Sequence, residues 1–307
     1  MGKLLIVGSV AFDAIETKFG KTGKILGGAA TYIGLAGSYF NLKSGIISVI
    51  GEDFPQKYID ILTDRNINIE GLEVIKDGKT FFWSGKYHDD MNGRDTLETQ
   101  LNVMADFNPK VPENLQDAEV VMLGNLHPLV QLSALEQMKN PKLVVLDTMN
   151  FWMDNSWDDL LKVISKVDVI TINDEEARQL SGENSLVKAN QVIQKMGPKT
   201  VVIKKGEHGA LLFQENHMFF APALPLEEVF DPTGAGDTFA GGFAGYLAQT
   251  KDFSFENMKQ AVVYGSNLAS FCVEKFGPDR LLDLKTEEVF NRLKIFKSLT
   301  QFDIDLP

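Results

Sequence analysis

The sequence predicts an α/β chain with a mostly parallel central sheet, helices on both of its faces, and a small β lid. Short β-branched runs alternate with longer stretches of helical periodicity. Several of the short runs are apolar almost without interruption, as strands covered on both faces are. Two further stretches break the alternation and read as β structure outside the main sheet.

In chain order, strands are expected at 3–7, 45–50, 119–123, 142–146, 168–172 and 200–204. Helices are expected at 29–40, 55–65, 129–138, 174–180 and 185–196, and a long one at 255–274. The irregular stretches are 10–26, punctuated by Gly20 and Gly23, and 70–103. The latter holds the aromatic run Thr80-Phe81-Phe82-Trp83-Ser84-Gly85-Lys86-Tyr87, a polar turn, and a further strand near 96–101, which together make a hairpin. With no repeat or linker in view, the whole of 1–307 reads as a single domain carrying these lid segments.

Composition narrows the function. A net charge of −12 leaves no basic footprint for nucleic acid. A single cysteine, Cys272, allows no intrachain disulfide and sits in an apolar run as a structural thiol. No apolar stretch approaches the ~20 residues that span a bilayer, and 3–7 opens as a strand without a basic leader. A cytoplasmic protein is expected. Gly20-Lys21-Thr22 and Gly78-Lys79-Thr80 are not P-loops, because Ile15 and Glu73 stand where that motif needs Gly. No Gly-x-Gly-x-x-Gly follows the first strand, and the four histidines lack zinc spacing.

The chemistry-bearing segment is Phe230-Asp231-Pro232-Thr233-Gly234-Ala235-Gly236-Asp237-Thr238-Phe239-Ala240-Gly241-Gly242. A turn of small residues runs into a helix, so unobstructed N–H groups and the helix dipole make an anion site at Gly234, Ala235 and Gly236. Asp237 falls in the first helical turn. A carboxylate there is either a cap or a base for a nucleophilic hydroxyl. The small residues that follow are expected to let the helix pack closely on the sheet.

The whole string resembles the second signature of the ribokinase (PfkB) family of carbohydrate and nucleoside kinases. Asp231, Pro232, Gly234, Ala235, Gly236, Asp237, Gly241 and Gly242 match that signature. The resemblance implies a ribokinase-like three-layer α/β/α sandwich and an ATP-dependent kinase with Mg²⁺, Asp237 serving as base. It extends from Gly8 to about Gly277. Val7-Gly8-Ser9-Val10-Ala11-Phe12-Asp13 resembles the family's first strand and turn, which makes Asp13 an acceptor ligand. Leu26-Gly27-Gly28-Ala29-Ala30 matches its diglycine, and Tyr32 stands on the acceptor side where the family usually has Asn.

Asn173 and Glu176 match an Asn-x-x-Glu motif that organises Mg²⁺ and phosphates, with Glu176 acting through water. Read from the residues alone, they are a helix cap and an acidic first turn. Lys204, Gly206 and Gly209 resemble a nucleotide-side turn, for which a plain hairpin is the other reading. Asn267 and Ser270 would wall the adenine pocket. Asp231 and Thr233 match the positions beside which the family often holds a monovalent cation such as K⁺, and Thr233 also belongs to the nucleotide side. Asp147 and Asn150, at a strand end, are candidates for the surround of the site. His127, also at a strand end, reads as structural.

For the acceptor, a sugar or polyol is the first expectation and a nucleoside the second. Phe82, Trp83, Tyr87 and Tyr32 either stack on a base or pack the lid. A phosphosugar would need Lys86 or Arg94. A silent binding protein on the same scaffold would have no need of Asp237. The open edge of the lid offers a homodimer surface.

Overall fold

The computed structural model describes residues 1–301. Its strands in chain order are β1 (Gly2–Val7), β2 (Ala11–Thr17), β3 (Gly20–Lys21), β4 (Ile25–Gly27), β5 (Leu42–Gly51), β6 (Ile67–Ile75) and β7 (Phe82–Tyr87). Then come β8 (Arg94–Gln100), β9 (Val120–Leu123), β10 (Leu143–Asp147), β11 (Val169–Asn173), β12 (Thr200–Lys204), β13 (Ala210–Gln214) and β14 (His217–Ala221). The helices are α1 (Ala29–Gly37), α2 (Gln56–Asp64), α3 (Pro128–Glu136), α4 (Asn150–Asn155), α5 (Trp157–Ile164) and α6 (Asp174–Ser181). They continue with α7 (Leu186–Gln194), α8 (Ala235–Thr250), α9 (Phe255–Cys272), α10 (Asp279–Asp283) and α11 (Thr286–Thr300).

Nine strands form the central sheet in the order β14-β13-β12-β11-β10-β9-β1-β5-β6. From β12 to β6 every pairing is parallel, and β13 and β14 are antiparallel additions at one edge. Alternation along β1 shows why the strands read as unbroken apolar runs. Leu4 and Ile6 enter the core shared with α1, α8 and α9, while Leu5 and Val7 enter the opposite core with α3, α5 and α7. All four are fully buried, and burial of each such side chain is worth about 1.5–3 kcal/mol before its entropy cost. Strand order reverses beside β1, so loops diverge there and open a crevice at the carboxyl ends.

The lid is a separate sheet in the order β3-β2-β7-β8, with β4 on β2. The 10–26 stretch supplies β2, β3 and β4. The 70–103 stretch does not belong to the lid throughout: residues 70–75 are part of β6, which pairs in parallel with β5 at the edge of the main sheet. Not foreseen from the sequence are β13, β14, α4, α5, α10 and α11. Residues 302–307, included in the expected single domain, lie outside the described residues. Among the described residues, no helix is long and apolar enough to cross a membrane.

The small residues of α8 act differently from expectation. Their closest approaches are to helices. A Cβ on Gly241 would lie 2.4 Å from the Ile33 carbonyl oxygen in α1, and one on Gly242 would lie 3.0 Å from the Gly265 Cα in α9. The α1–α8–α9 layer is therefore set by backbone-to-backbone approach. Gly241→Val should cost at least about 2 kcal/mol by forcing α8 from α1. Gly23→Ala, whose Cβ would meet nothing within 4 Å, should stay within about 0.5 kcal/mol of wild type. Urea unfolding of the two variants checks the contrast.

Candidate active site

A cleft of about 2100 Å³ lies between the carboxyl ends of the parallel strands and the lid. Its floor comes from the residues that follow β1, β9, β10, β11 and β12, and from the start of α8.

The start of α8 is shaped by one contact. Gly234 is its N-cap residue at φ 74, and a Cβ there would lie 2.4 Å from Cε1 of Tyr32. Only glycine meets both the left-handed backbone and the close ring. As first-turn donors, the Gly236 and Asp237 N–H groups have no carbonyl to bond within α8, which leaves them for an anion. Asp237 does not cap the helix: Gly234 is the cap and no side chain bonds there. Burial, then the charge of Asp147, push the Asp237 carboxyl above the ordinary carboxylate range, while Lys204 and Arg94 pull it down.

Lys204 ends β12, and its Nζ lies 3.2 Å from where a Gly236 Cβ would sit. Asp147, ending β10, holds that ammonium at 3.1 Å. Burial opposes the Lys204 charge, but Asp147 and Glu176 outweigh it and raise its pKa. Asp147 is thus more central than its expected place in the surround. Asn150, by contrast, bonds Gln179 and is absent from the cleft wall.

The Asn-x-x-Glu segment forms the helix cap that its residues alone suggest. Asn173 Oδ1 accepts from the Glu176 N–H and Glu176 Oε2 accepts from the Asn173 N–H, each at 2.8 Å, which is a capping box on α6. Glu176 nevertheless lines the cleft beside Lys204. Its carboxyl is pushed up to about 7 by burial, against Lys204 and with Asp147. Gly206 and Gly209, both at positive φ, turn the chain from β12 into β13 along the cleft wall, so the plain hairpin is also present.

On the acceptor side, the diglycine has two steric reasons. A Cβ on Gly27 would lie 2.1 Å from Asp13 Oδ2, and one on Gly28 would lie 2.4 Å from the Ser9 carbonyl oxygen. The buried Asp13 carboxyl is pushed up to about 7, by burial first, then by Asp231, with the Gly28 N–H pulling down. The Tyr32 hydroxyl is buried in this wall and has no hydrogen-bond partner among the described residues. Burial, with Asp13 beside it, raises its pKa and keeps it a donor. Thr148 Oγ1, further along the wall, is likewise buried and unpartnered.

Two expectations are corrected, those for Asn267 and Phe82. Asn267 is turned away from the cleft: it is fully buried and donates to the Val289 carbonyl of α11, while Ser266, Ala269 and Ser270 line the wall. The Val289 carbonyl of α11, distant in sequence, claims the Asn267 amide. The Asp231 carboxylate ties two backbone segments together, Oδ1 accepting from the Thr233 N–H at 2.9 Å and Oδ2 from the Gly277 N–H at 2.8 Å. Phe82 neither faces the cleft nor packs a separate lid core; it belongs to the main core, and Phe81, Trp83 and Tyr87 line the cleft instead. His127 is structural, accepting from the Leu129 N–H as cap of α3, and also lines the cleft against Trp152. Residues 223–229 form a cleft wall that the sequence reading passed over.

The lid is latched to the anion loop. Thr233 Oγ1 donates to Tyr87 Oη at 3.1 Å, and Phe19 stacks on Phe230 at 4.4 Å.

The small-residue start of α8, the buried Lys204 ammonium beside it and the Asp237 carboxylate, which makes no cap bond, meet at one end of the cleft. Residues 1–284 match the model of the pfkB family carbohydrate kinases, and the chain belongs to that family. It is 31% identical over 249 residues to the cytidine kinase of Thermococcus kodakarensis, covering 79% of this chain and 88% of that protein. The nucleoside kinase of Methanocaldococcus jannaschii superposes with a TM-score of 0.77 at 22% identity, over 96% of this chain and 99% of that one. A putative ribokinase II from E. coli, solved with ATP and Mg²⁺, gives 0.80 at 21% identity, over 96% and 100%. The chain is a sugar or nucleoside kinase with the ribokinase fold.

The acids of the cleft make stability depend on pH. The Asp13 and Glu176 carboxyls, at about 7 in the folded protein, bind protons more tightly than the free groups do at 3.8 and 4.5. The folded state thus holds more protons than the unfolded one between about 4 and 7, and stability falls as pH rises through that window. Asp13→Asn should raise the melting temperature of the ligand-free protein at pH 8 by at least about 2 °C and change it little at pH 4. Differential scanning calorimetry at the two pH values checks this.

Proposed function

We propose that this kinase transfers the γ-phosphoryl group of ATP to a hydroxyl of a nucleoside, with Asp237 as the general base. The observation that carries the base assignment is the Asp237 carboxylate itself, in the first turn of α8, making no cap bond beside the anion loop. Its raised pKa suits a base working near neutrality.

In this reading the phosphate chain of ATP lies over residues 234–236. Lys204, held by Asp147, faces the oxygens from the β12 side. Asn173, Gly206, Gly209, Thr233 and the 223–229 wall flank the nucleotide. Among the described residues, no three acidic, histidine or cysteine side chains form a metal cage. The carboxylates of Glu176 and Asp147 beside the anion loop instead fit a hard cation carried by phosphates, with Glu176 reaching Mg²⁺ through water. Mg²⁺ would neutralise phosphate charge as transfer proceeds. Asp237 would hold the acceptor hydroxyl in line and take its proton.

The sequence alone put a sugar or polyol ahead of a nucleoside. The likeness to a cytidine kinase reverses that order. Beyond Asp13 and Tyr32, the cleft continues past Thr148, Asn125, His127 and Trp152, which gives room and polar partners for a base attached to the sugar.

Measuring ADP release against cytidine, other nucleosides, free sugars and polyols tests the acceptor, and cytidine should lead the panel. Asp237→Asn should lower kcat by about 10²–10⁴-fold with ATP affinity within about twofold of wild type. A variant that turns over normally would sink the base assignment. Tyr32→Phe should raise KM for the acceptor by about fivefold or more, since a lost hydrogen bond is worth about 0.5–1.5 kcal/mol or somewhat more when buried. KM for ATP should not move.

A further inference from the structure

We propose that Arg94, carried on lid strand β8, is a ligand for phosphate oxygens in this active site, gripping an anionic group held between lid and anion loop. The proposal rests on the nucleotide position argued above.

The placement follows from strand register. Arg94 is the direct cross-strand partner of Tyr87 on β7, so the two side chains emerge on the same face of the lid. That face looks into the site, because Tyr87 Oη accepts from Thr233, the residue before Gly234. Arg94 lines the same cleft as Lys204, Gly236 and Asp237. Its guanidinium lies 5.8 Å from the Trp83 ring centroid, which holds the stem over the opening. The field of its charge reaches both Asp237 and Glu176, on opposite sides of the anion loop.

Arg94 makes no ion pair or hydrogen bond among the described residues, although the neighbouring lid is rich in acids. Apart from Asp89, whose carboxylate pairs with nothing among the described residues, those acids are engaged elsewhere. Asp95 bonds His88, Asp90 accepts from the Asn92 and Gly93 N–H groups, and Glu98 accepts from Gln100. Glu16 takes both Lys21 and Lys86. The other lid cations are engaged too: Lys86 and Lys21 on Glu16, Lys18 on the Asp89 carbonyl, and Lys24 over the rings of Phe12 and Phe82. That pairing removes Lys86 from the two lid residues first considered for a phosphate. Arg94 remains, a planar fork of donors aimed at the cleft, and such a fork matches phosphate oxygens in a way an ammonium does not.

Two sources can supply the phosphate: the γ-phosphoryl group in transfer, or a phosphate already on the acceptor. The test uses wild type, Arg94→Lys and Arg94→Ala. It measures calorimetric binding of Mg²⁺–ATP, Mg²⁺–ADP and ribose 5-phosphate, steady-state kinetics with cytidine, and melting temperature to confirm folding. If the γ-phosphoryl is the ligand, Arg94→Ala loses at least tenfold in ATP affinity or in kcat, while ADP affinity is unchanged. If the acceptor's phosphate is the ligand, the loss falls on ribose 5-phosphate and spares both nucleotides. In either case Arg94→Lys recovers only part of the loss. Folded Arg94→Ala protein with wild-type kcat and wild-type affinity for ATP and ribose 5-phosphate would overturn the proposal while leaving the kinase reading intact. Wild-type protein that binds no nucleotide would overturn both.

Discussion

The site depends on the packing of Gly234 against the ring of Tyr32. A hydrogen is all that fits between the loop at Gly234 and the first helix of the opposite wall, and the loop's left-handed N-cap favours glycine as well. One contact therefore joins the two halves of the cleft. The same economy of space recurs along α8, where Gly241 and Gly242 bring α1 and α9 to backbone distance. It recurs at Gly27, which leaves room for the Asp13 carboxylate. Small residues in this chain set distances between functional groups.

Electrostatics then act inside that frame. Asp237, Asp147, Glu176 and Lys204 crowd one end of the cleft, with three carboxylates against one ammonium. Burial and mutual repulsion hold Asp237 and Glu176 above their ordinary pKa values. Such an arrangement opposes the stability of the ligand-free fold at neutral pH. The lid contributes a cation, Arg94, and a latch, the Thr233–Tyr87 hydrogen bond. Both reach the loop from the opposite side, so the anion loop is the meeting point of sheet, helix layer and lid.

Much of this was legible in the chain. The parallel strands were readable because each is buried on both faces, which writes a short unbroken apolar run. The start of α8 was readable because Gly234, Ala235 and Gly236 are small and lead straight into a helix. What was not legible followed from partners distant in sequence. β6 alternates as an edge strand and looked like part of the lid until its pairing with β5 was seen. Asn267 and Ser270 are neighbours on α9, yet Asn267 is spent on the Val289 carbonyl while Ser270 reaches the cleft wall, which a motif match does not resolve. The Asp231 carboxylate ties Thr233 to Gly277 across the chain. Asp147 gained its importance from Lys204, 57 residues away. In each case local pattern identified the element, and long-range packing decided the side chain's task.

The claim that the two halves of the cleft are one construction is tested most directly by a double-mutant cycle on the contact that joins them. Unfolding free energies would be measured for Gly234→Ala, Tyr32→Ala and the pair. If the added methyl collides with the ring, removing the ring relieves the collision. The pair should then lose less stability than the sum of the singles, by more than about 1 kcal/mol. Losses that add within about 0.5 kcal/mol would mean that loop and wall are independent, and would contradict the account.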